Sequence, residues 1–248
     1  MNWRIFHRDV TVSTNLDARA GAPGDVFTAG FQTGGRGRLN HRWLSAPGEN
    51  LMMSAVLDVG SLEAEEAATL PLAVGMAAVR ALSRYCASSA PMLKWPNDVF
   101  VEGMKLAGIL CERHGDNVIA GVGVNVRQRE FSPEIVSRAT SLALIAGGVP
   151  PSVDEVRETL LAELAKVYGE WREGGFAAVY PLIRAVDYLK GRRVCIYQRD
   201  DDESPVEGVS AGILPDGSLD VAGTAIYAGE AHVVVGDGKR VKGKERKI

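Results

Sequence analysis

The chain has 248 residues, 46% hydrophobic and 24% charged, and a formal net charge of −3 at pH 7. These values are typical of a globular protein that buries a sizeable core in one large domain, or in a larger domain plus a small one. No run of eighteen apolar residues and no basic-then-apolar leader occurs, so neither a membrane span nor a secretory signal is expected.

The three cysteines, Cys86, Cys111 and Cys195, are odd in number, far apart and without a CxxC pair. A disulfide framework and a zinc site are therefore not expected. Free thiols suit a reducing compartment, so we expect a cytoplasmic protein.

The charges are unevenly distributed along the chain. Residues 239–247 carry six basic side chains and one acidic one; subtracting them from 28 basic and 31 acidic residues leaves 22 against 30, a net charge of −8. Proteins that bind nucleic acids normally present a basic surface. We therefore expect no DNA or RNA partner for the main body, and we interpret residues 238–248 as a basic, disordered, solvated tail.

Hydrophobic runs predict several strands and one helix in the first half of the chain. The short apolar runs 4–6 and 10–12 open the chain, and the predicted strands cover 25–29, 50–57, 105–112 and 117–126. Residues 63–86 follow the helical period. Their apolar stripe consists of Leu70, Val74, Ala77, Ala81 and Tyr85.

A second helix is predicted after Pro150 and Pro151. Its apolar stripe, with spacings of four, four, three and four residues, comprises Val156, Leu160, Leu164, Val167 and Trp171. Ser152, with Glu155 three residues later, has the pattern of a capping box and predicts the start of this helix.

The character of the chain changes near Tyr188. Short β-like runs then follow at 193–197, 206–209, 211–214, 219–221 and 232–235. They are separated by turns such as Pro215-Asp216-Gly217, a hairpin signal, and about fifty residues of this kind suit a small β-barrel. The predicted domains are a main domain over 1–187, a small β-domain over 188–237 and the basic tail.

Two short segments about sixty residues apart carry the strongest functional signal. The first is Gly34-Gly35-Arg36-Gly37-Arg38, closed by Trp43, and the second is Lys94-Trp95-Pro96-Asn97-Asp98, followed by Lys105-Leu106-Ala107-Gly108. Glycines let the main chain approach a ligand, and arginines bind carboxylates and phosphates with a planar fork. Lys105 begins an otherwise apolar run, so its stem should be half buried and its ammonium paired with an anion. Together the segments predict a site that brings two anions together.

Several common motifs are absent. The sequence has no G-x-x-x-x-G-K-[ST], H-E-x-x-H or G-x-S-x-G, which counts against a P-loop, a metalloprotease and an α/β-hydrolase. Gly121 and Gly123 lack the third glycine of a dinucleotide fingerprint, and they indicate a bulge or a close backbone approach. Cys111 is interpreted as a structural thiol. The histidines show no metal-ligand spacing.

Taken with their neighbours, these segments resemble the bacterial biotin–protein ligases. The resemblance is carried in order by Ser13-Thr14-Asn15, Gln32-Thr33-Gly34-Gly35-Arg36-Gly37-Arg38, Trp43, Lys94-Trp95-Pro96-Asn97-Asp98, Lys105-Leu106-Ala107-Gly108-Ile109-Leu110 and Gly121-Val122-Gly123-Val124-Asn125. It covers residues 5–185, and residues 188–236 are similar to the family's C-terminal domain. It implies an α+β fold in which a mixed β-sheet is flanked by helices and followed by a small SH3-like β-barrel.

The resemblance also implies a two-step reaction. Biotin's carboxylate attacks the α-phosphate of ATP, with Mg²⁺ bridging the triphosphate, and forms biotinyl-5′-AMP and pyrophosphate. A lysine amine of a biotin carboxyl carrier protein then attacks the anhydride and releases AMP. Biotin, ATP, Mg²⁺ and the carrier protein are thus the expected ligands and partners.

The family's functional residues can be placed on this chain through the matching motifs. The catalytic residues are expected to be Lys105, Arg38 and Asp98, with Asp98 orienting or deprotonating the acceptor lysine. The biotin-binding residues are expected to be Ser13, Thr14, Gln32, Gly35, Arg36, Arg38, Lys105, Gly108, Gly121 and Gly123. The residues that bind ATP and the adenylate are expected to be Arg36, Arg38, Trp43, Asn97, Lys105 and Asn125. No side chain is assigned to a metal.

The chain departs from the family pattern in two places. Leu39-Asn40-His41 replaces the residue, glycine and arginine that commonly continue the loop, so its third basic group is missing or titratable, and Arg42 could substitute. No helix-turn-helix segment precedes residue 5, so the monofunctional type without a DNA-binding domain is expected.

Two other functions remain open. A lipoate- or octanoate-transferring enzyme of the same fold would need a long linear tunnel, and a non-catalytic biotin- or nucleotide-binding regulator would not need Arg38, Lys105 and Asp98. The oligomeric state is also open, because the strand over 117–126 could pair edge to edge in a homodimer or lie inside a sheet.

Overall fold

A seven-stranded mixed sheet forms the centre of this computed structural model, which describes residues 1–39, 41–60, 62–87, 89–198 and 205–234. Its strands are β1 (Arg4–Thr11), β2 (Asp25–Gln32), β3 (Leu51–Asp58), β4 (Met92–Lys94), β5 (Asp98–Val101), β6 (Met104–His114) and β7 (Asn117–Val124). They lie in the order β1-β2-β3-β7-β6-β5-β4. β1 and β2 are parallel, and the other neighbouring pairs are antiparallel.

Five α-helices connect and cover these strands in the described part of the chain. They are α1 (Thr14–Asp17), α2 (Ala64–Ala67), α3 (Leu70–Leu82), α4 (Leu142–Ile145) and α5 (Val153–Ala185). The helix expected over 63–86 is divided into α2 and α3, because Pro71 lies in the first turn of α3 and suits the start of a new helix. The capping box at Ser152 and Glu155 is confirmed. Gly175, with φ 66°, interrupts α5.

Helices cover the sheet on both faces around β3, and this explains why Leu51–Leu57 is one continuous buried run. On one face α3 packs against α5 and the sheet, and the residues between them form the main core. On the other face a short 3₁₀ turn, Ala18–Ala20, follows α1 and packs Ala18 against Val56 and Ile119. Among the described residues, none of the helices is at once long and apolar enough to cross a membrane.

A second, antiparallel sheet follows α5. It consists of β8 (Arg193–Tyr197), β9 (Val206–Ile213), β10 (Leu219–Val221), β11 (Thr224–Ile226) and β12 (Glu230–Val233), in the order β11-β10-β9-β8-β12. The runs expected at 206–209 and 211–214 are a single strand, because the pairing with β8 and β10 continues through both. The arrangement agrees with the small C-terminal β-domain expected from the sequence.

The sheet decides one question that the sequence left open, and a second expectation lies outside the described residues. The 117–126 segment has no free edge, since β7 pairs along its length with β3 on one side and β6 on the other. Edge-to-edge dimerisation through it is therefore ruled out by this structure. The basic tail at 238–248 lies outside the described residues.

Candidate functional site

A cleft lies where the glycine-rich loop after β2, the β4–β5 hairpin and β12 come together. The space inside it, together with the solvent at its open side, is about 900 Å³. Its floor is formed by β6 and β7, and its far end by the segment that joins β1 to α1. The first and second sheets therefore both contribute to its wall.

The far end of the cleft holds a connected set of neutral polar side chains. Gln32 Oε1 accepts hydrogen bonds from the main-chain N–H of Thr14 at 2.7 Å and from its hydroxyl at 3.1 Å. The Ser54 hydroxyl lies 2.7 Å from Thr14 Oγ1 and donates to Asn15 Oδ1 at 2.6 Å. Ser13, Thr14, Asn15 and Ser54 are each at most 4% exposed. Such buried, mutually bonded groups form a rigid polar pocket.

Two glycines of β7 bring the main chain close to this pocket. A Cβ atom added at Gly121 would lie 2.1 Å from Asn15 Oδ1, and one at Gly123 would lie 2.5 Å from the indole of Trp43. Any larger residue would displace these side chains. Gly108 on β6 is packed less tightly, since an added Cβ would lie 3.1 Å from both Lys105 Nζ and Trp43.

The glycine-rich loop directs its two arginines differently. Arg38 lines the cleft and donates to the main-chain carbonyl of Gly229, 3.2 Å away beside β12. Arg36 instead donates to Glu112 Oε1 at 2.9 Å. The buried indole N–H of Trp43 has no acceptor among the described residues, so it is available to a ligand.

The β4–β5 hairpin and the neighbouring β6 each supply one member of the charged pair of the cleft. Lys105 Nζ lies 2.7 Å from Asp98 Oδ1, although no donor among the described residues is aligned for a hydrogen bond to that oxygen. Lys94 stands directly opposite Asp98 in the strand pairing, with its ammonium 4.7 Å from the centre of the Phe100 ring. Asn97 Nδ2 donates to the carbonyl of Ile109 and so ties the hairpin to β6.

Basic side chains outnumber acidic ones along the cleft. The described lining residues include the basic Arg36, Arg38, Arg42, Lys94 and Lys105 and the acidic Asp98 and Glu230. Burial lowers the pKa of Lys94, and the nearby carboxylate of Asp98 acts in the opposite direction. Burial also lowers the pKa of Arg38, whereas the carboxylates of Asp98 and Glu230 act to raise it. Because a desolvated cation is stabilised by an opposite charge, this wall suits an anionic ligand.

The structure brings most of the predicted residues together. The cleft is lined by Ser13, Thr14, Gln32, Arg36, Arg38, Trp43, Asn97, Asp98, Lys105, Gly108, Gly121 and Gly123. Gly35 lies behind the loop, where its carbonyl accepts from the main-chain N–H of Trp43. Asn125 is 4% exposed and donates to the carbonyl of Thr140, so it supports β7 from outside the cleft.

Sequence reasoning missed several lining residues. Lys94 and Asn15 both belong to the motif segments, but the sequence pattern assigns neither a function. Met52 and Glu230 reach the cleft only through the pairing of distant strands, which no local pattern reveals. Among the described residues, no group of three His, Cys, Asp or Glu side chains is placed to hold a metal ion.

Comparisons with known proteins agree with this geometry. Residues 10–128 match the model of the biotin/lipoate A/B protein ligase family. A biotin–[acetyl-CoA-carboxylase] ligase of Mycobacterium tuberculosis is 33% identical in an alignment of 238 positions that covers 90% of this chain and 86% of that protein. The bifunctional ligase/repressor BirA of Bacillus subtilis is 31% identical over 72% of this chain, and the match spans only 58% of BirA.

Solved structures give the same result. A biotin protein ligase from Aquifex aeolicus in complex with biotin and ATP matches with a TM-score of 0.81 and 29% identity, over 93% of this chain and 98% of that one. A biotin protein ligase from Leishmania major in complex with biotinyl-5-AMP matches with a TM-score of 0.66 and 25% identity over 95% of this chain. In sequence, in fold and in the residues that surround its cleft, this chain belongs to the biotin–protein ligase family.

Proposed function

We propose that this ligase joins biotin to a lysine of a biotin carboxyl carrier protein in two steps, through biotinyl-5′-AMP. The observation that carries the proposal is the division of one cleft into a neutral polar end and a cationic wall. Biotin has a polar ureido edge at one end and a carboxylate at the other. The polar end of the cleft suits the ureido group, and the cationic wall suits the carboxylate and the phosphates of ATP.

The first step joins two anions and needs fixed positive charge. Two unit charges about 4 Å apart repel by about 4 kcal/mol at an effective dielectric of about 20. Arg38 and Lys105 lie in the same wall, and Lys105 is already oriented by Asp98. They hold the carboxylate and the α-phosphate close and stabilise the charge on the phosphorane oxygens. Mg²⁺, which binds phosphate oxygens with one or two carboxylates, would be held at Asp98 or Glu230 and would neutralise the triphosphate.

The second step requires a neutral amine. Asp98 lines the cleft with its carboxylate against Lys105, and it can accept the proton of the incoming carrier lysine. The anhydride then acylates that amine and AMP leaves.

The cellular setting of this reaction is also part of the proposal. Cys86, Cys111 and Cys195 are not joined in disulfides in the structure, which supports a reducing cytoplasm. The acceptor is then a carboxylase carrier protein in the same compartment. Biotin and ATP are the small-molecule substrates.

One experiment tests the proposal. The protein is incubated with Mg²⁺, ATP labelled at the α-phosphate, and either biotin or lipoate, and the products are separated by thin-layer chromatography. We expect a labelled adenylate with biotin and none with lipoate, and its consumption when a carrier domain is added. Adenylation of lipoate alone would assign the protein to the lipoate ligases, and binding of biotin without any adenylate would make it a non-catalytic regulator.

A further inference from the structure

One carboxylate outside the cleft lining contacts two parts of the site at once. Glu112, in the second half of β6, accepts a hydrogen bond from Asn15 Nδ2 at 2.7 Å through Oε2. Its Oε1 accepts from Arg36 at 2.9 Å. Arg19 Nη2 lies 3.8 Å from the same oxygen. The Glu112 side chain is only 23% exposed. No property of the sequence pattern marked this residue.

The two partners belong to different parts of the site. Asn15 is part of the polar pocket, where its Oδ1 accepts from Ser54 and its Nδ2 also faces the carbonyl of Leu110 at 3.3 Å. These contacts fix which way the amide points. Arg36 belongs to the glycine-rich loop. Glu112 therefore connects the pocket to the loop through a single side chain.

We infer that Glu112 is a positioning residue that couples the polar pocket to the glycine-rich loop. The inference rests on the proposed function, because the pocket is taken to bind biotin and the loop to cover the adenylate. One carboxylate oxygen holds the Asn15 amide in its binding orientation, and the other holds Arg36 and keeps the loop closed. Arg36 is then a tether of the loop, and Arg38 and Lys105 are the cations that meet the phosphate.

This differs from the sequence-based expectation that Arg36 contacts biotin and the phosphate. An ion pair between two exposed side chains contributes little, but a carboxylate shared by two donors and mostly out of solvent is more sensitive to substitution. The two interpretations of Arg36 also make opposite predictions. If Arg36 were a phosphate ligand restrained by Glu112, removing the Glu112 charge would free it and slow the escape of the adenylate.

The test uses the full chain with three substitutions at two positions, one double variant and a control at a third position. Glu112→Gln keeps an acceptor for Asn15 but loses the charge that holds Arg36, so we expect biotin affinity within about threefold of wild type and adenylate release about tenfold faster. Glu112→Ala loses both contacts, so biotin affinity should also fall about tenfold. In an Arg36→Met background, Glu112→Gln should have no further effect on release. Glu173→Gln, on the exposed side of α5, is the matched control and should behave as wild type.

Biotin affinity is measured by isothermal titration, and release by chasing labelled adenylate with unlabelled biotin and ATP. Circular dichroism establishes whether each variant is folded. If Glu112→Ala does not fold, the isosteric Glu112→Gln decides the test. Slower or unchanged release from Glu112→Gln, or additive effects with Arg36→Met, would overturn the inference while leaving the ligase function intact. If wild type bound biotin but formed no adenylate, the proposed function would fail, and the biotin affinity of Glu112→Ala would still decide the Asn15 contact. If the wild-type protein bound no biotin at all, both the proposed function and the inference about Glu112 would fail.

Discussion

Lys105 and Asp98 place opposite charges 2.7 Å apart in a cleft where basic side chains are in excess. The sequence predicts a half-buried lysine with an anionic partner, and the structure confirms both, with the Lys105 side chain 35% exposed. This was predictable because a lysine at the start of an apolar strand has few other environments. The engagement of Arg36 by Glu112 was not predictable, since it depends on the packing of a loop against β6.

At the residue scale we expect Lys105→Ala to reduce adenylate formation by about 100-fold or more, since preorganised charge at a reacting phosphate is often worth several kcal/mol. The fold should be unchanged because the side chain is partly solvated. Pyrophosphate release under saturating biotin and ATP measures the effect. Lys166→Ala, on the exposed surface of α5, is the control. Full turnover by Lys105→Ala would remove this lysine from the mechanism.

The thiols give a second prediction at the same scale. Burial raises the pKa of Cys86 to about 11 and that of Cys111 to about 12. A raised pKa keeps the thiol protonated to higher pH, so at pH 8 only about one Cys86 in a thousand is a thiolate, and still fewer Cys111. Both should react with iodoacetamide at least about 100-fold more slowly in the native protein than in urea. Mass spectrometry of the alkylated peptides measures this, and rapid native labelling of Cys111 would reopen a nucleophilic function for it.

At the scale of elements, the long and periodic segments were predictable and the short ones were not. The start of α5 follows from Ser152 and Glu155, because a capping box is a local signal. β4 and β5 have three and four residues and enclose Trp95-Pro96, so no periodicity could reveal them. The strand order is set by which strands pair edge to edge with one another. That information lies in contacts between distant residues.

The glycines of β7 yield a prediction about an element. A Cβ at Gly121 would collide with Asn15 Oδ1, so Gly121→Ala should weaken biotin binding by about tenfold or more, as expected for a displaced buried hydrogen-bonding group. Gly169 in α5 has no atom within 4 Å of an added Cβ, so Gly169→Ala should bind biotin normally and be more stable by roughly 0.5–1 kcal/mol. Titration calorimetry and urea unfolding measure the pair. Equal biotin affinities would show that the Asn15 amide is not part of the biotin pocket.

At the scale of the whole molecule, the two sheets share one hydrophobic core. Apolar residues of the second sheet, such as Val194 and Ile213, belong to the same buried cluster as Leu93 and Trp95. Leu93 also exchanges main-chain hydrogen bonds with Val186 and Tyr188, where α5 leads into the second sheet. A domain boundary at residues 187 and 188 stays a prediction. The continuity of the core indicates that neither part is stable alone.

We therefore expect one cooperative unfolding transition for the ligand-free protein, with calorimetric and van't Hoff enthalpies that agree. Arg38→Ala, which removes one side-chain hydrogen bond between the sheets without truncating an apolar core residue, should keep the single transition. Scanning calorimetry measures both. Two separate transitions in the wild type would mean that the β-domain folds independently, and the shared cluster would then contribute little to cooperativity.

Two hydrogen bonds from cleft side chains to the second sheet are accepted by main-chain carbonyls. Trp95 Nε1 donates to the carbonyl of Gly217 at 3.0 Å and Arg38 to that of Gly229, and both glycines have positive φ, 83° and 146°. Such backbone is readily adopted by glycine alone. Side chains elsewhere on these turns can thus diverge during evolution without altering the active site, provided that the two glycines persist. A β-domain from a distant relative could be grafted onto this catalytic scaffold if it preserved these two carbonyl positions and the apolar side chains that complete the shared core.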